Sequence, residues 1–198
     1  MFNKQDSDVM EGESIQKTSK KSSRKSNEIT PTGHPLTFAA DEVIVSKTDL
    51  AGKIKYVNDT FIKVSGYSER EVMGMPHNMV RHPDMPRAVF NLLWDRLGRG
   101  KHVFAYVINL CKNGDHYWVM AHICPSFDAD GNAIGYHSSR RKPDMKIVNE
   151  TIIPLYKKLL DIETNETSKR IGLEKSMATF DKIFRAEGVK YNEFILSL

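Results

Sequence analysis

The chain has 198 residues, a formal net charge of +4 and 40% hydrophobic residues, which fits one domain with polar appendages. Those values argue against a nucleic-acid binder. No apolar run reaches bilayer length and no apolar signal region opens the chain, so a cytoplasmic location with only indirect membrane association is expected. The two cysteines, Cys111 and Cys124, form neither a metal-ligand spacing nor a disulfide framework.

Residues 1–34 show no apolar periodicity, and Lys17, Lys20, Lys21, Arg24 and Lys25 alternate with hydroxyl residues; they read as a disordered basic arm. Leu36 to Phe38 reads as a short cap on the domain. Glu42 to Ser46 is the first expected strand. Asp49 to Lys53 turns the chain, and Ile54 to Val57 completes a hairpin. Asn58 or Asp59 caps a short helix that Gly66 ends. Ser68 to Glu71 is a capping box opening another short helix that stops near Gly74.

Pro76 to Pro86 follows, with His77, Arg81, His82 and Asp84 held between prolines that stiffen the backbone. Such a segment aims its polar groups and suits an anionic ligand. From Arg87 to Leu97, Val89, Phe90, Leu93, Trp94 and Leu97 recur at helical spacing. Two long strands then flank Asn113-Gly114, a hairpin signal. A two-residue turn there pairs Leu110 with Tyr117, Ile108 with Val119, Tyr106 with Ala121 and Phe104 with Ile123, an apolar face assigned to the interior. The opposite face, with Trp118 and Met120, is suited to docking a helix or partner. Pro125 to Gly131 reads as a loop and Ala133 to Arg140 as the fifth strand. Past Pro143, apolar stripes predict amphipathic helices, with Pro154 kinking the first or starting a new one.

The sum is an α+β domain: five antiparallel strands curved around a ligand-sized space, with short helices inserted between the second and third. The histidine spacings match no usual zinc signature, and neither a nucleophile elbow nor a phosphate-cradling glycine loop is present, so no enzymatic activity is expected.

Asn58-Asp59-Thr60-Phe61, Ser65-Gly66-Tyr67, Pro76 to Pro86, and Lys112 to Val119 together resemble the PAS sensory domain, and within it the FAD-binding PAS domain of bacterial aerotaxis receptors. The resemblance covers about residues 36–160 and implies a PAS fold over 36–142, followed by the helical extension over 143–198 that the apolar stripes predict. It implies a redox or energy sensor binding FAD through Asn58, Arg81, His82, Asp84 and Trp94, with Tyr106, Ile108 and Tyr117 among the pocket walls. It further implies signalling to a chemotaxis-type receptor, with homodimerisation through the domain or the C-terminal helices. A membrane anchor and signalling bundle are not read on this chain, so the layout resembles stand-alone PAS proteins of bipartite energy-taxis systems. The third strand opens Val103-Phe104-Ala105 where the family usually has Trp-x-Gly. Two other readings remain open: a haem b gas sensor with His82 as axial ligand, and a cofactor-free interaction module with a filled pocket.

Overall fold

A computed structural model describes residues 29–186 and 190–198. The expected basic arm lies outside the described residues up to position 28. From Ile29 the chain is placed against the domain, which corrects the expectation of disorder through residue 34. Thr32 N–H donates to Gly114 O at 2.8 Å, its hydroxyl donates to Asp115 Oδ1 at 2.6 Å, and Leu36 N–H donates to His116 O at 2.7 Å. A polar segment is held here because a hairpin turn offers it partners.

Five strands form one antiparallel sheet in the order β2-β1-β5-β4-β3: β1 Ile44–Thr48, β2 Ile54–Val57, β3 Val103–Leu110, β4 His116–Phe127 and β5 Ala133–Arg141. Between β2 and β3 lie α1 (Asp59–Ser65), α2 (Glu69–Val72), a 3₁₀ turn (His77–Val80) and α3 (Arg87–Gly98). Asn58 caps α1 through Phe61 N–H, and Gly66 ends it with φ 75°. The capping box is formed by Ser68 and Glu71.

The β3–β4 register differs by one residue from the sequence reading. Observed partners are Ile108 with Trp118, Tyr106 with Met120 and Phe104 with His122. The turn has three residues, Lys112 to Gly114. Gly114 N–H donates to Cys111 O at 3.0 Å, Cys111 N–H donates to Asp115 O at 2.7 Å, and Gly114 takes φ 93°. A type I turn closed by a left-handed glycine uses the same Asn-Gly pair but adds a residue to the loop. A one-residue slip exchanges the faces of β3. Val107 and Asn109 therefore face the inserted helices, while Tyr106 and Ile108 face away. Pro125 to Phe127, expected in a loop, extends β4 opposite Tyr136 to Ala133.

The C-terminal helices cover the β3–β4 part of the outward face and leave Lys47 of β1 and Arg141 of β5 exposed. Helix α4 (Met145–Ile147) continues through a π-helical turn (Val148–Ile152) into α5 (Ile153–Asn165), followed by α6 (Lys169–Ala186) and α7 (Tyr191–Ser197). The π turn sits directly before Pro154, which has no N–H to continue the helical ladder. Tyr156 packs against Trp118 at 6.0 Å and donates its hydroxyl to Tyr106 O at 2.6 Å. Ile152 and Leu159 are fully buried, each contributing about 1.5–3 kcal/mol of apolar burial. Helices α1–α3 thus pack on the inward face, while α5–α7 pack on the outer β3–β4 side and, through α5 and α6, directly against α3.

Candidate functional site

Between the inward face of the sheet and α3 lies a cavity of about 240 Å³, just under the roughly 300–1,000 Å³ of typical small-molecule sites. Strand alternation supplies the floor: Ser46 and Thr48 from β1, Tyr136, Ser138 and Arg140 from β5, Ala121 and Ile123 from β4, Val107 and Asn109 from β3. Helix α3 supplies the wall with Phe90, Leu93, Trp94 and Leu97. The 3₁₀ turn and the residue after it add His77, Asn78 and Arg81. Ala51, Pro76, Asn78 and Trp94 are the exposed members and mark the opening.

The floor is built around a buried cation. The Arg140 guanidinium donates from Nη2 to Ser46 Oγ at 2.5 Å and to His77 Nε2 at 2.6 Å. It also lies over the Phe61 ring at 5.9 Å. A guanidinium only donates, so His77 Nε2 accepts and the imidazole proton sits on Nδ1. Ser46 Oγ, which accepts from Arg140, lies 3.0 Å from the same nitrogen. Burial lowers Arg140 to a pKa of about 10, still cationic at neutral pH. Burial, with the neighbouring guanidinium, pushes His77 down to about 3. Among the described residues no carboxylate pairs with Arg140.

Among the described residues six buried side-chain polar atoms have no partner: His116 Nδ1, the Tyr117 and Tyr191 hydroxyls, and Arg140 Nη1, Ser138 Oγ and Asn109 Nδ2, the last three of which concern the cavity. Those three residues line it, on β5 and β3, with the small Ala121 of β4 between them. Buried polar groups are ordinarily satisfied, and an uncompensated buried charge is costly. The set fits a planar, acceptor-rich ligand that fills the floor and accepts from these groups.

The residues expected at the site divide. Arg81 and Trp94 line the cavity. Arg81 donates to Met85 O at 2.8 Å and lies 4.5 Å over the Phe90 ring, its pKa lowered by burial. Trp94 is 46% exposed and stands edge-on to Tyr136 at 5.4 Å. Asn58, His82 and Asp84 do not line it. Asn58 ties β1 to α1, accepting from Val45 and Phe61 N–H at 2.9 and 3.1 Å and donating to Val43 O at 2.8 Å. His82 turns into the protein beside His116, and its Nδ1 accepts from Asp84 N–H at 3.1 Å. Asp84 projects into solvent. Of the expected sheet walls, Tyr117 is buried on the inward side, whereas Tyr106 and Ile108 lie under α5–α7 because of the register. His82 is therefore not placed as an axial ligand to anything in the cavity, and the lining histidine, His77, has its Nε2 committed to Arg140.

The floor carries a pH signature. The folded pKa of His77 lies below its ordinary 6.5, so the unfolded chain binds this proton more readily. Stability then falls as pH drops from about 6.5 toward 3. His82, His122 and His137 are also lowered by burial and act in the same direction. The urea midpoint is expected to fall across that window, with the slope most reduced in His77→Gln.

Residues 54–140 match the PAS fold family. Over 177 residues the chain is 43% identical to the aerotaxis receptor of Escherichia coli (strain K12), a match covering 85% of this chain and 33% of the receptor. It is 34% identical over 86 residues to the biofilm dispersion protein BdlA of Pseudomonas aeruginosa, covering 42% of this chain and 20% of that protein. The chain thus spans about a third or less of the length of these relatives. A light-oxygen-voltage domain solved in work on a flavin analogue superposes with a TM-score of 0.50 at 20% identity, covering 59% of this chain and 87% of that one, which shows a shared fold. No described helix is long and apolar enough to cross a membrane. Sheet order, inserted helices and the long match to the receptor agree: this chain carries a PAS domain of the aerotaxis-receptor type.

Proposed function

We propose that the domain is a redox sensor that holds a flavin, FAD, in the cavity and reports its state through the C-terminal helices to a chemotaxis-type receptor in aerotaxis or energy-taxis signalling. The observation that carries this reading is the unpaired donor set on the cavity floor. Asn109, Ser138 and Arg140 present donors where an isoalloxazine ring presents carbonyl oxygens and ring nitrogens. Phe90, Leu93, Leu97 and Tyr136 give the apolar and aromatic wall that such a ring needs, and keep water from the floor. A cavity of about 240 Å³ takes the ring system and leaves the rest of a dinucleotide outside, where Trp94, Asn78 and Arg81 are placed to meet it.

A bound flavin exchanges electrons with the cell's redox pool and changes its own charge as it does so. Arg140, fixed by Ser46 and His77, is the group of this chain placed to respond to that charge. Arg81, through its bond to Met85 and its contact with Phe90, links the cavity to the start of α3. The test is the absorbance spectrum of the protein as purified, and again after reconstitution with FAD. Flavin bands between the near-ultraviolet and the blue are expected. A protein that stays colourless after reconstitution overturns the reading.

A further inference from the structure

Helix α3 begins without a cap of its own. Pro86 occupies the N-cap position and has no side-chain group to accept from the first turn. Glu163 of α5 supplies what is missing. Its Oε2 accepts from Arg87 N–H at 3.0 Å and its Oε1 from Ala88 N–H at 2.9 Å. Arg87 returns the contact: Nε donates to Glu163 Oε2 at 3.0 Å, Nη2 to Glu163 O at 3.4 Å and Nη1 to Lys169 O at 2.9 Å. One carboxylate of α5 therefore holds the start of α3, and one guanidinium of α3 holds both sides of the α5–α6 corner. The Glu163 side chain is 3% exposed. The corner is tightly closed: a Cβ on Gly172 of α6 would stand 2.7 Å from Glu163 O.

The same helix is the cavity wall. Phe90, Leu93, Trp94 and Leu97 face the cavity along its length, and Arg81 grips the turn before it through Met85 O. A buried carboxylate with two backbone donors and an arginine in fixed geometry does not stretch gradually. It is held or released, as packed contacts generally are. We infer that Glu163 is the positioning residue through which the cavity wall and the C-terminal helices move together, the Glu163–Arg87 contact delivering a displacement of α3 to the α5–α6 corner. As an output for redox sensing this rests on the flavin reading above. By linkage the coupling is reciprocal, so shifting the corner changes the cavity in turn.

The experiment is hydrogen exchange read by mass spectrometry on the full chain, following peptides over residues 159–172. Wild type and Glu163→Gln are each compared flavin-loaded, oxidised and after dithionite reduction, with absorbance recording cofactor content. In wild type the exchange of the corner is expected to change several-fold on reduction. In Glu163→Gln the flavin spectrum is expected to remain and the corner to exchange alike in both states. An equal change in Glu163→Gln, or none in wild type, overturns the inference. A wild-type protein that binds no flavin defeats the functional reading instead. The coupling is then read with Leu93→Ala, which alters the wall from inside the cavity. Faster exchange at the corner in the Glu163 protein, and no added effect in the Glu163→Gln background, supports it; an unchanged corner overturns it. If Glu163→Gln does not fold, Arg87→Lys keeps the charge and the capped helix start, loses the bonds to the corner, and takes its place with the same expected outcomes.

Discussion

Arg140→Met is expected to weaken flavin binding by about 10- to 150-fold, the equivalent of one charge-assisted hydrogen bond of about 1.5–3 kcal/mol, while the protein stays folded. Both halves follow from the isolation of this guanidinium. Its Nη2 is held by Ser46 and His77, but Nη1 meets no acceptor and no carboxylate of the described residues neutralises it. Methionine has a similar length and no charge to desolvate, so it relieves a cost of the empty cavity. Ser46 and His77 can still bond to each other at 3.0 Å, which limits the penalty on the partners left behind. Apo stability is expected to change by no more than about 1–2 kcal/mol, and binding to fall because the ligand loses the one full charge on the floor. Quenching of flavin fluorescence on titration measures the first effect and urea denaturation the second. A variant that binds as tightly as wild type would remove Arg140 from the site.

That residue was hard to see in the sequence, and the reason is instructive. In β5 a charged residue two positions beyond Ser138 reads as the solvated end of a strand. Alternation does place Tyr136, Ser138 and Arg140 on one face, but only pairing with Ala121 and Ile123 of β4, and with Ser46 and Thr48 of β1, shows that this face is the inner one. Local signals fared better. Asn58, the Ser68–Glu71 box and the α3 periodicity depend on neighbours within a few positions, and the structure has each of them. The β3–β4 hairpin lies between these cases. Asn113-Gly114 locates the turn, yet two- and three-residue turns both use such a pair, and the choice exchanges Tyr106 and Ile108 for Val107 and Asn109 at the cavity. The Pro76–Pro86 stretch was legible as a stiff connector, but not which groups it aims: His77 and Arg81 turn to the cavity, His82 and Asp84 do not. The contact between Glu163 and α3 joins positions 75 and 76 residues apart and leaves no local mark.

Glu163→Ala carries the largest expected loss of stability. It strips a buried carboxylate from Arg87 and leaves two N–H groups of α3 without an acceptor. Removing one partner of a buried ion pair costs about 3–5 kcal/mol; at about 2–4 °C per kcal/mol for a chain of this size, Tm should fall by roughly 6–20 °C. Burial decides the magnitude. The Arg170–Glu174 pair has a shorter contact, 2.6 Å, but its side chains are 75% and 59% exposed, so Glu174→Ala should change stability by no more than about 0.5 kcal/mol. Arg87 is itself 31% exposed and can turn to water once Glu163 is gone, which places the loss toward the lower end. The double variant Arg87→Ala/Glu163→Ala is expected to be less destabilised than the two single losses added together, because each single change leaves the other charge without its partner. Strict additivity in urea denaturation would show that the two side chains do not act on each other, and that the cap on α3 comes from Glu163 alone.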